Sequence, residues 1–422
     1  MKLTKHLVFI GLTSLSLSAC LTNNDNNETS SISSELIQSS QSISSDTSIS
    51  FTPSSSEITL SSSSKKPGDS IIISSSTESS SEELQSSSSF QYTDSVVPYK
   101  VISSNQPALK RVVGYLPIYK GLNAFENKLN LDVITHLDLA FVNPDGKNGS
   151  FNNFSKSQTW VQFLPHQQKY VDKGIKIIAS IGGAAANSTM YKHLMLSENR
   201  TAFIDSLMQF TLRHNLDGID VDLEGSLVTN VNYNPFVLEL ADSLKAHNLI
   251  ITAAVAQYTG RGISDETIAK FDFLNLMAYD QRGTWTPNDV GPHSHMNFVK
   301  QNISYWENDR GVSKDKIVVG VPFYGYKWSL LTYEISGEVV ADKSVDYVSW
   351  RSFVTNHPDR ANADFGGQKN TIDGIWYGDG KNTMRDKTLL SREYGGIMIW
   401  EIEQDTQDDT SLMQVIIEHS GK

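Results

Sequence analysis

The sequence predicts an α/β protein in which a (β/α)8 TIM barrel follows a disordered, serine-rich tether. Short apolar runs alternate with amphipathic segments from residue 106 to the end, as in repeated βα units around a parallel sheet. There are eight such runs, which is the number of strands in a TIM barrel. The segment before residue 106 is instead dominated by serine and holds few large apolar residues.

Residues 1–19 are predicted to be a signal peptide. A positively charged start, Met1–His6, precedes an apolar stretch, Leu7–Leu17, that is too short to span a bilayer. The following Leu-Ser-Ala-Cys resembles the bacterial lipobox, in which the cysteine becomes the lipid-modified first residue of the mature protein. Cys20 is the only cysteine of the chain, and a free buried thiol is hard to reconcile with this position. We therefore expect a lipid anchor at Cys20 in a bacterial cell envelope, and Leu21 favours the outer membrane by resemblance to Gram-negative lipoproteins.

The tether is predicted over residues 20–105. Runs such as Ser61–Ser64 and Ser86–Ser89 leave too little apolar surface to offset the entropy of ordering the chain. A flexible coil of this length spans roughly 50 Å. The tether can therefore hold a folded domain clear of a membrane surface.

The overall charge excludes one class of partner. The net charge is −12, whereas phosphate binding needs clustered Lys and Arg, so we expect no nucleic-acid partner. No cysteine follows Cys20, so the exported domain has to be stable without disulfides. We expect the protein to be a monomer.

Residues 106–422 are predicted to form one barrel domain. Its eight predicted strands are Val112–Tyr115, Ile134–Val142, Ile175–Ile181, Gly218–Leu223, Leu249–Ala256, Phe271–Met277, Ile317–Val321 and Gly396–Trp400. Helices are predicted at Glu198–His214, which repeats large apolar residues at helical spacing, and at Pro235–Ala246, which opens with a proline. A doubly wound open sheet is the alternative, but no Gly-x-Gly-x-x-Gly follows the first strand.

The most informative stretch is Leu216–Gly225, because three of its carboxylates repeat at two-residue spacing. In an extended strand, residues two apart face the same side, so Asp220, Asp222 and Glu224 form one acidic row in front of an apolar row. Carboxylates this close repel one another, and burial raises their pKa values. Such a row indicates an active site or an ion site, whereas the apolar neighbours disfavour a solvated edge strand.

Asp220–Gly225 also resembles the start of a calcium-binding loop, which has oxygen ligands at positions 1, 3 and 5 and glycine at position 6. Position 12 of such a loop carries a carboxylate, but here it is Val231. The flanks also indicate a strand before and a loop after, rather than two helices. We therefore expect no metal and no other cofactor.

The spacing Asp-x-x-Asp-x-Asp-x-Glu, formed by Asp217, Asp220, Asp222 and Glu224, resembles the signature of glycoside hydrolase family 18, the chitinases and endo-β-N-acetylglucosaminidases. Three further segments resemble motifs at the ends of that family's third, sixth and eighth barrel strands. They are Ser180-Ile181-Gly182-Gly183, Met277-Ala278-Tyr279-Asp280 and Gly395–Glu401. All four motifs occur in the family's order and fall at C-terminal strand ends, where TIM barrels carry their chemistry.

The resemblance implies a hydrolase in which the substrate's own acetamido group attacks the anomeric carbon, a recognised exception among retaining glycosidases. Glu224, nearest the strand's end, is the expected general acid, kept protonated by repulsion from Asp222 and the more buried Asp220. Asp222 is expected to turn towards the acetamido N–H. By resemblance, Tyr279 donates to the acetamido oxygen, Asp280 lines the same subsite and Trp400 forms the floor under the sugar.

The other motif residues are expected to act structurally. Ser180, Gly182 and Gly183 are expected to support close backbone packing, and Asp217 to anchor the start of its strand. Aromatic residues at or just after predicted strand ends are candidates for stacking on sugars. They are Tyr115, Tyr119, Trp285, Tyr324, Tyr326 and Trp328, whereas Trp160 and Trp306 lie in helical context and are expected in the core.

Between Trp328 and Gly395 many family members insert an α+β domain. Here the same stretch has to supply the seventh helix, so we expect a small insertion and a shallow groove. The expected substrate is a polymer or oligomer of β-1,4-linked N-acetylglucosamine. The alternatives are cleavage of the chitobiose core of N-glycans, and a non-catalytic sugar-binding lipoprotein, which the presence of Glu224 disfavours.

Overall fold

The computed structural model describes residues 106–335, 338–362 and 375–422, and the side chains of residues 330–343 are not part of that description. The expected signal peptide, Cys20 and the serine-rich segment 20–105 lie outside the described residues. All described residues belong to one compact unit of the chain.

The predicted barrel is confirmed. In chain order the strands are β1 (Val112–Pro117), β2 (His136–Ala140), β3 (Lys176–Gly182), β4 (Gly218–Asp222), β5 (Ile250–Val255), β6 (Phe273–Leu276), β7 (Ile317–Pro322), β8 (Tyr324–Ile335), β9 (Glu338–Ser349), β10 (Ile375–Gly378) and β11 (Gly396–Trp400). Eight of them close a parallel barrel in the order β1-β11-β7-β6-β5-β4-β3-β2. All eight predicted strands are present, because apolar runs of this length bury both faces in a barrel wall.

Helices cover the outside of the barrel. They are α1 (Gln158–Asp172), α2 (Ser188–Leu194), α3 (Ser197–Arg213), α4 (Tyr233–Lys245), α5 (Asp265–Lys270), α6 (Met296–Ser304), α7 (Trp350–Asn356), α8 (Lys381–Ser391) and α9 (Leu412–His419). The two predicted helices correspond to α3 and α4, and α3 buries Phe203, Leu207 and Phe210 as its spacing predicts. Trp160 and Trp306 are fully buried in the core, as expected. Within the described ranges, no helix combines the length and apolar character needed to cross a membrane.

The expectation of a small insertion is wrong. Strands β8, β9 and β10 form a three-stranded antiparallel sheet in the order β10-β8-β9, placed in the chain between β7 and α8. The seventh helix, α8, needs only Lys381–Ser391 of this stretch, so most of the remaining chain is free to form the sheet and α7. The length of the stretch was therefore a poor guide to its content.

The barrel register brings the motifs together. Ser180 of β3 pairs with Asp220 of β4, and Asp220 pairs in turn with Thr252 of β5. Parallel strands place their C-terminal ends at the same end of a barrel. Motifs separated by many residues in sequence thus meet at one end of the barrel.

Candidate active site

The acidic row lies where the two-residue spacing predicts. Ile219 and Val221 of β4 are fully buried in the main apolar core, and Asp220 and Asp222 alternate with them on the opposite face. Glu224 lies two residues beyond the end of β4, where its side chain is partly exposed. The row therefore runs from the barrel interior to its rim.

Asp220 is a fully buried carboxylate with many donors. The hydroxyls of Tyr115 and Ser180 each donate to its Oδ2 over 2.8 Å, and Thr252 Oγ1 donates to its Oδ1 over 2.7 Å. Asn275 Nδ2 lies at 3.5 Å from the same Oδ1. Burial raises the pKa of Asp220, and these hydrogen bonds oppose the rise because they stabilise the charged form.

Asp222, unlike Asp220, has a carboxylate oxygen without a donor. It is 3% exposed, and its Oδ1 has no hydrogen-bond partner. Burial, followed by the charges of Glu224, Asp220 and Asp138, raises the pKa of Asp222 well above its usual value. An oxygen buried without a partner costs free energy, so Asp222 is the member of the row with most to gain from a new donor.

Glu224 has the pKa of a general acid. Burial and then the charge of Asp280 raise the pKa of Glu224 to about 7. We expected Asp222 and Asp220 to provide this repulsion, but the carboxylate that does so is Asp280. The repulsion between Glu224 and Asp222 instead raises the pKa of Asp222.

Two buried residues of the site were missed by the sequence reading. Asp138 of β2 is fully buried, and Asn275 of β6 donates from Nδ2 to its Oδ2 over 3.3 Å. Burial and the charge of Asp220 raise the pKa of Asp138 well above its usual value. The sequence clue to Asp138 is its position between Leu137 and Leu139, which resembles the alternation of acidic and apolar residues in β4.

Tyr115 lies inside the barrel. It is 1% exposed, and its hydroxyl binds Asp220 rather than reaching the rim. The side chain therefore supports the acidic row from below, and the sequence-based suggestion of a sugar-stacking surface does not match this position.

The aromatic residues at the ends of β6 and β11 close the site from the sides. Tyr279 is buried, and its hydroxyl donates to Met398 Sδ over 3.8 Å. Trp400 is partly exposed at the end of β11, stacks on Phe141 with ring centroids 5.7 Å apart, and contacts the ring of Tyr115 at 5.3 Å. The indole thus has both apolar backing and an accessible surface.

Asp280 accepts a second group of polar contacts, separate from those around Asp220. Tyr324 and Tyr326 donate to its Oδ1 over 2.6 and 3.0 Å, and His293 Nδ1 lies 3.3 Å from the same atom. Tyr324 is buried, so it reaches the site through its hydroxyl. His293 was missed by the sequence reading, because an isolated histidine in a loop carries no pattern. Trp285, in contrast, is 56% exposed beside Tyr326.

The remaining motif residues shape the backbone. Gly182 has φ +111°, and a Cβ there would lie 2.1 Å from the carbonyl oxygen of Asp222. Gly183 has φ +83° and faces the ring of Phe141 in the same way. Asp217 Oδ2 accepts from the backbone N–H of Ile177, and this bond ties the start of β4 to β3.

A metal site does not emerge from the described part of the chain. Within it, no group of three or more His, Cys, Asp or Glu side chains is arranged to hold an ion.

Comparison with known proteins identifies the family. The sequence model described as glycosyl hydrolases family 18 matches residues 111–405, which include the whole acidic row and all four motifs. The chain belongs to glycosyl hydrolase family 18.

Solved structures share the fold of this chain. The GH18 chitinase ChiB from the chitin utilization locus of Flavobacterium johnsoniae is 32% identical, with a TM-score of 0.61, and the match covers 74% of this chain and 94% of that one. The chitinase-like agglutinin from Robinia pseudoacacia is 23% identical, with a TM-score of 0.59, and the match covers 74% of this chain and 100% of that one. The second likeness shows the family 18 fold alone.

Among curated relatives, the endochitinase of Brugia malayi is 27% identical over 324 residues, which are 64% of this chain and 62% of that protein. Chitinase-3-like protein 2 of Homo sapiens is 30% identical over 209 residues, 42% of this chain and 52% of that protein. The matches thus span between half and two thirds of these relatives.

Proposed function

We propose that the protein hydrolyses β-1,4-linked N-acetylglucosamine polymers or oligomers, as a chitinase does. The observation that carries this proposal is the state of Glu224, a rim carboxylate whose pKa is raised to about 7. A general acid works best when its pKa lies near the working pH, because it is then both protonated and able to give up its proton. Glu224 is thus suited to protonate the leaving oxygen of a glycosidic bond.

We further propose that the nucleophile is the substrate's acetamido oxygen. Retaining glycosidases generally use a second carboxylate as nucleophile. Asp222 is buried, and its unpartnered Oδ1 suits it to accept a hydrogen bond from the acetamido N–H. This bond would strengthen as positive charge develops on the acetamido group, and so would favour the transition state over the bound substrate.

Asp220 supports this role from beneath. Its four donors favour the charged form, so negative charge in the row is best accommodated there while Asp222 holds a proton. When Asp222 turns towards the substrate it gains the partner that it lacks. Tyr279 at the end of β6 and the accessible face of Trp400 would then hold the acetamido group and the sugar ring.

The relatives favour chitin as the substrate class. The solved structure with 32% identity is a chitinase from a chitin utilization locus. A second candidate is cleavage of N-glycan chitobiose cores, which requires the same acetamido chemistry. A non-catalytic sugar-binding role is the third candidate, but it gives no reason to retain a Glu224 whose pKa is raised to about 7.

We also propose that a lipid on Cys20 anchors the enzyme to a bacterial cell envelope, with the serine-rich segment as its tether. The proposal rests on the Leu-Ser-Ala-Cys pattern that follows a short apolar stretch. An anchored enzyme would release soluble fragments from an insoluble polymer close to the cell.

One assay tests the reaction and its mechanism. Purified protein is incubated with chitin oligomers, with an N-glycosylated protein and with cello-oligomers, and proton NMR records the first product anomer. We expect the chitin oligomers to be cleaved with initial release of the β-anomer, and the cello-oligomers to be inert because they lack the acetamido nucleophile. Initial release of the α-anomer would exclude the substrate-assisted mechanism. Cleavage of the glycoprotein alone would favour the second candidate, and sugar binding without any cleavage the third.

A further inference from the structure

The backbone at Asp280 is held in an unusual conformation. Asp280 has φ +61°, in the left-handed region that non-glycine residues seldom occupy. The segment 280–281 is fixed by His293, whose carbonyl oxygen accepts from Gln281 N over 3.0 Å and whose Nδ1 lies 3.4 Å from Asp280 N. Residues in this region persist where their surroundings fix them, and they concentrate at functional sites.

The carboxylate of Asp280 is fixed from one side only. The hydroxyls of Tyr324 and Tyr326 and Nδ1 of His293 all contact its Oδ1. The side chain nevertheless remains 38% exposed. Three contacts on one oxygen define the direction of the carboxylate.

His293 is itself held firmly. It is 1% exposed, and its Nε2 lies 3.2 Å from the carbonyl oxygen of Tyr324. The next residue, Ser294, donates to the carbonyl oxygen of Ala278 over 2.8 Å and accepts from the buried Lys387 of α8 over 2.7 Å. The ring of His293 therefore contacts the inserted sheet through β8. The next residue, Ser294, ties the same loop to the barrel through Ala278 and α8.

We propose that His293 and Tyr326 are positioning residues that, together with Tyr324, hold the Asp280 carboxylate beside Glu224. The inserted sheet then contributes to the site itself. Its first strand supplies two hydroxyls that place a negative charge next to the general acid. This inference rests on the proposed function, because it concerns the same acid.

Several ionisable groups face Asp280, and each has to be considered in a pH experiment. They are Glu224 beyond β4, Tyr258 after β5, Tyr279 after β6, His293 in the following loop, Tyr324 and Tyr326 on β8, and Tyr347 on β9. Burial raises the pKa values of all five tyrosines, so they stay protonated near pH 7. Glu224, whose pKa is raised to about 7, is therefore the group to follow there.

The first test removes one hydroxyl. Tyr326→Phe keeps the ring that packs against Trp285 and Trp328 but removes the donor to Asp280. Tyr377→Phe is the matched control, because Tyr377 pairs with Tyr326 across the same sheet and is partly exposed. We expect Tyr326→Phe to lower kcat/KM roughly tenfold, which is near the low end for loss of a hydrogen bond to a charged group, and Tyr377→Phe to leave it unchanged.

The second test separates the two nitrogens of His293. An asparagine amide can occupy the position of Nδ1, which faces Asp280, whereas a glutamine amide reaches the position of Nε2, which faces Tyr324. We expect His293→Asn to retain most activity and His293→Gln to lose it to about the same degree as Tyr326→Phe. Thermal unfolding of each variant identifies any that fails to fold, and activity is compared only among the folded ones.

The decisive measurement is made in an Asp280→Asn background. If both residues act through Asp280, Tyr326→Phe and His293→Gln should change kcat/KM there by less than about twofold. In the wild-type background, both should move the alkaline limb of kcat/KM to lower pH, as Asp280→Asn also should, because the charge of Asp280 raises the pKa of Glu224. The inference would be overturned if the losses in kcat/KM added to that of Asp280→Asn and the alkaline limb stayed at the wild-type pH. The proposed hydrolase function would be unaffected by that result. Absence of hydrolysis by the wild-type protein would instead contradict the proposed function.

Discussion

The hydroxyl of Tyr115 on β1 donates a 2.8 Å hydrogen bond to Asp220 on β4, although two strands separate β1 from β4 in the barrel order. The bond therefore crosses the barrel interior. It reaches the acidic row from below, through a residue that a substrate does not have to touch.

Tyr115→Phe tests this relationship. Asp220 loses one of its donors, so we expect kcat to fall about tenfold, while KM stays close to its wild-type value. Tyr170→Phe is a suitable control, because Tyr170 is also buried but donates to Glu126, far from the row. A rise in KM without a fall in kcat would show that Tyr115 contacts the sugar after all.

Glu224→Gln should remove nearly all hydrolysis but leave binding of chitin oligomers measurable, because it deletes the proton donor and keeps the shape. The control is Glu266→Gln on the exposed face of α5. Isothermal titration with a chitin oligomer and a hydrolysis assay on the same sample provide both values. Retention of more than about a tenth of the wild-type rate would mean that another group is the acid.

Asp222→Asn should lower kcat by on the order of a hundredfold, as removal of a preorganised transition-state partner usually does. Asp359→Asn, at an exposed position, controls for the substitution itself. Affinity for a thiazoline mimic of the bicyclic intermediate should fall in parallel with kcat. If kcat fell while affinity for the mimic stayed unchanged, Asp222 would not be the partner of the acetamido group.

The raised pKa of Glu224 also predicts a pH-dependent stability. In the folded protein its pKa is about 7, compared with 4.5 for an unperturbed glutamate. Between these values the folded state binds more protons than the unfolded state, so Glu224 makes the wild-type protein less stable as pH rises through this window. Glu224→Gln should therefore raise Tm relative to wild type above pH 7, and this advantage should vanish below about pH 4.5. A pH-independent difference in Tm would exclude the raised pKa.

Cys20→Ser tests the proposed anchor. The variant should leave the membrane fraction, because the lipid on Cys20 is the proposed attachment. Its activity on soluble oligomers should match that of the wild-type protein, since the barrel begins after residue 105. Continued recovery in the membrane fraction would show that the protein is retained by other means.

The barrel and the acidic row could be predicted because both depend on periodic patterns. Apolar runs define strands, and alternation within β4 separates Asp220 and Asp222 from the core residues Ile219 and Val221. The structure confirms the predicted strands because every one of these runs is buried in the barrel wall.

Residues whose role depends on tertiary contacts could not be predicted. Asp138 and Asn275 acquire their roles only when β2 and β6 face each other across the barrel interior. His293 lies in a loop, and nothing in its sequence neighbours indicates that it will contact Asp280. The same limit applies to Tyr326, which was a candidate for sugar stacking but donates to Asp280.

The closure of the barrel has a consequence for incomplete chains. Strand β11 pairs with β1 on one side and with β7 on the other. A chain that stops before Gly396 would leave both neighbours with exposed, unpaired edges, which favour aggregation. It would also lack Trp400. Partial synthesis or proteolysis near that point should therefore yield insoluble material and not a weakened enzyme.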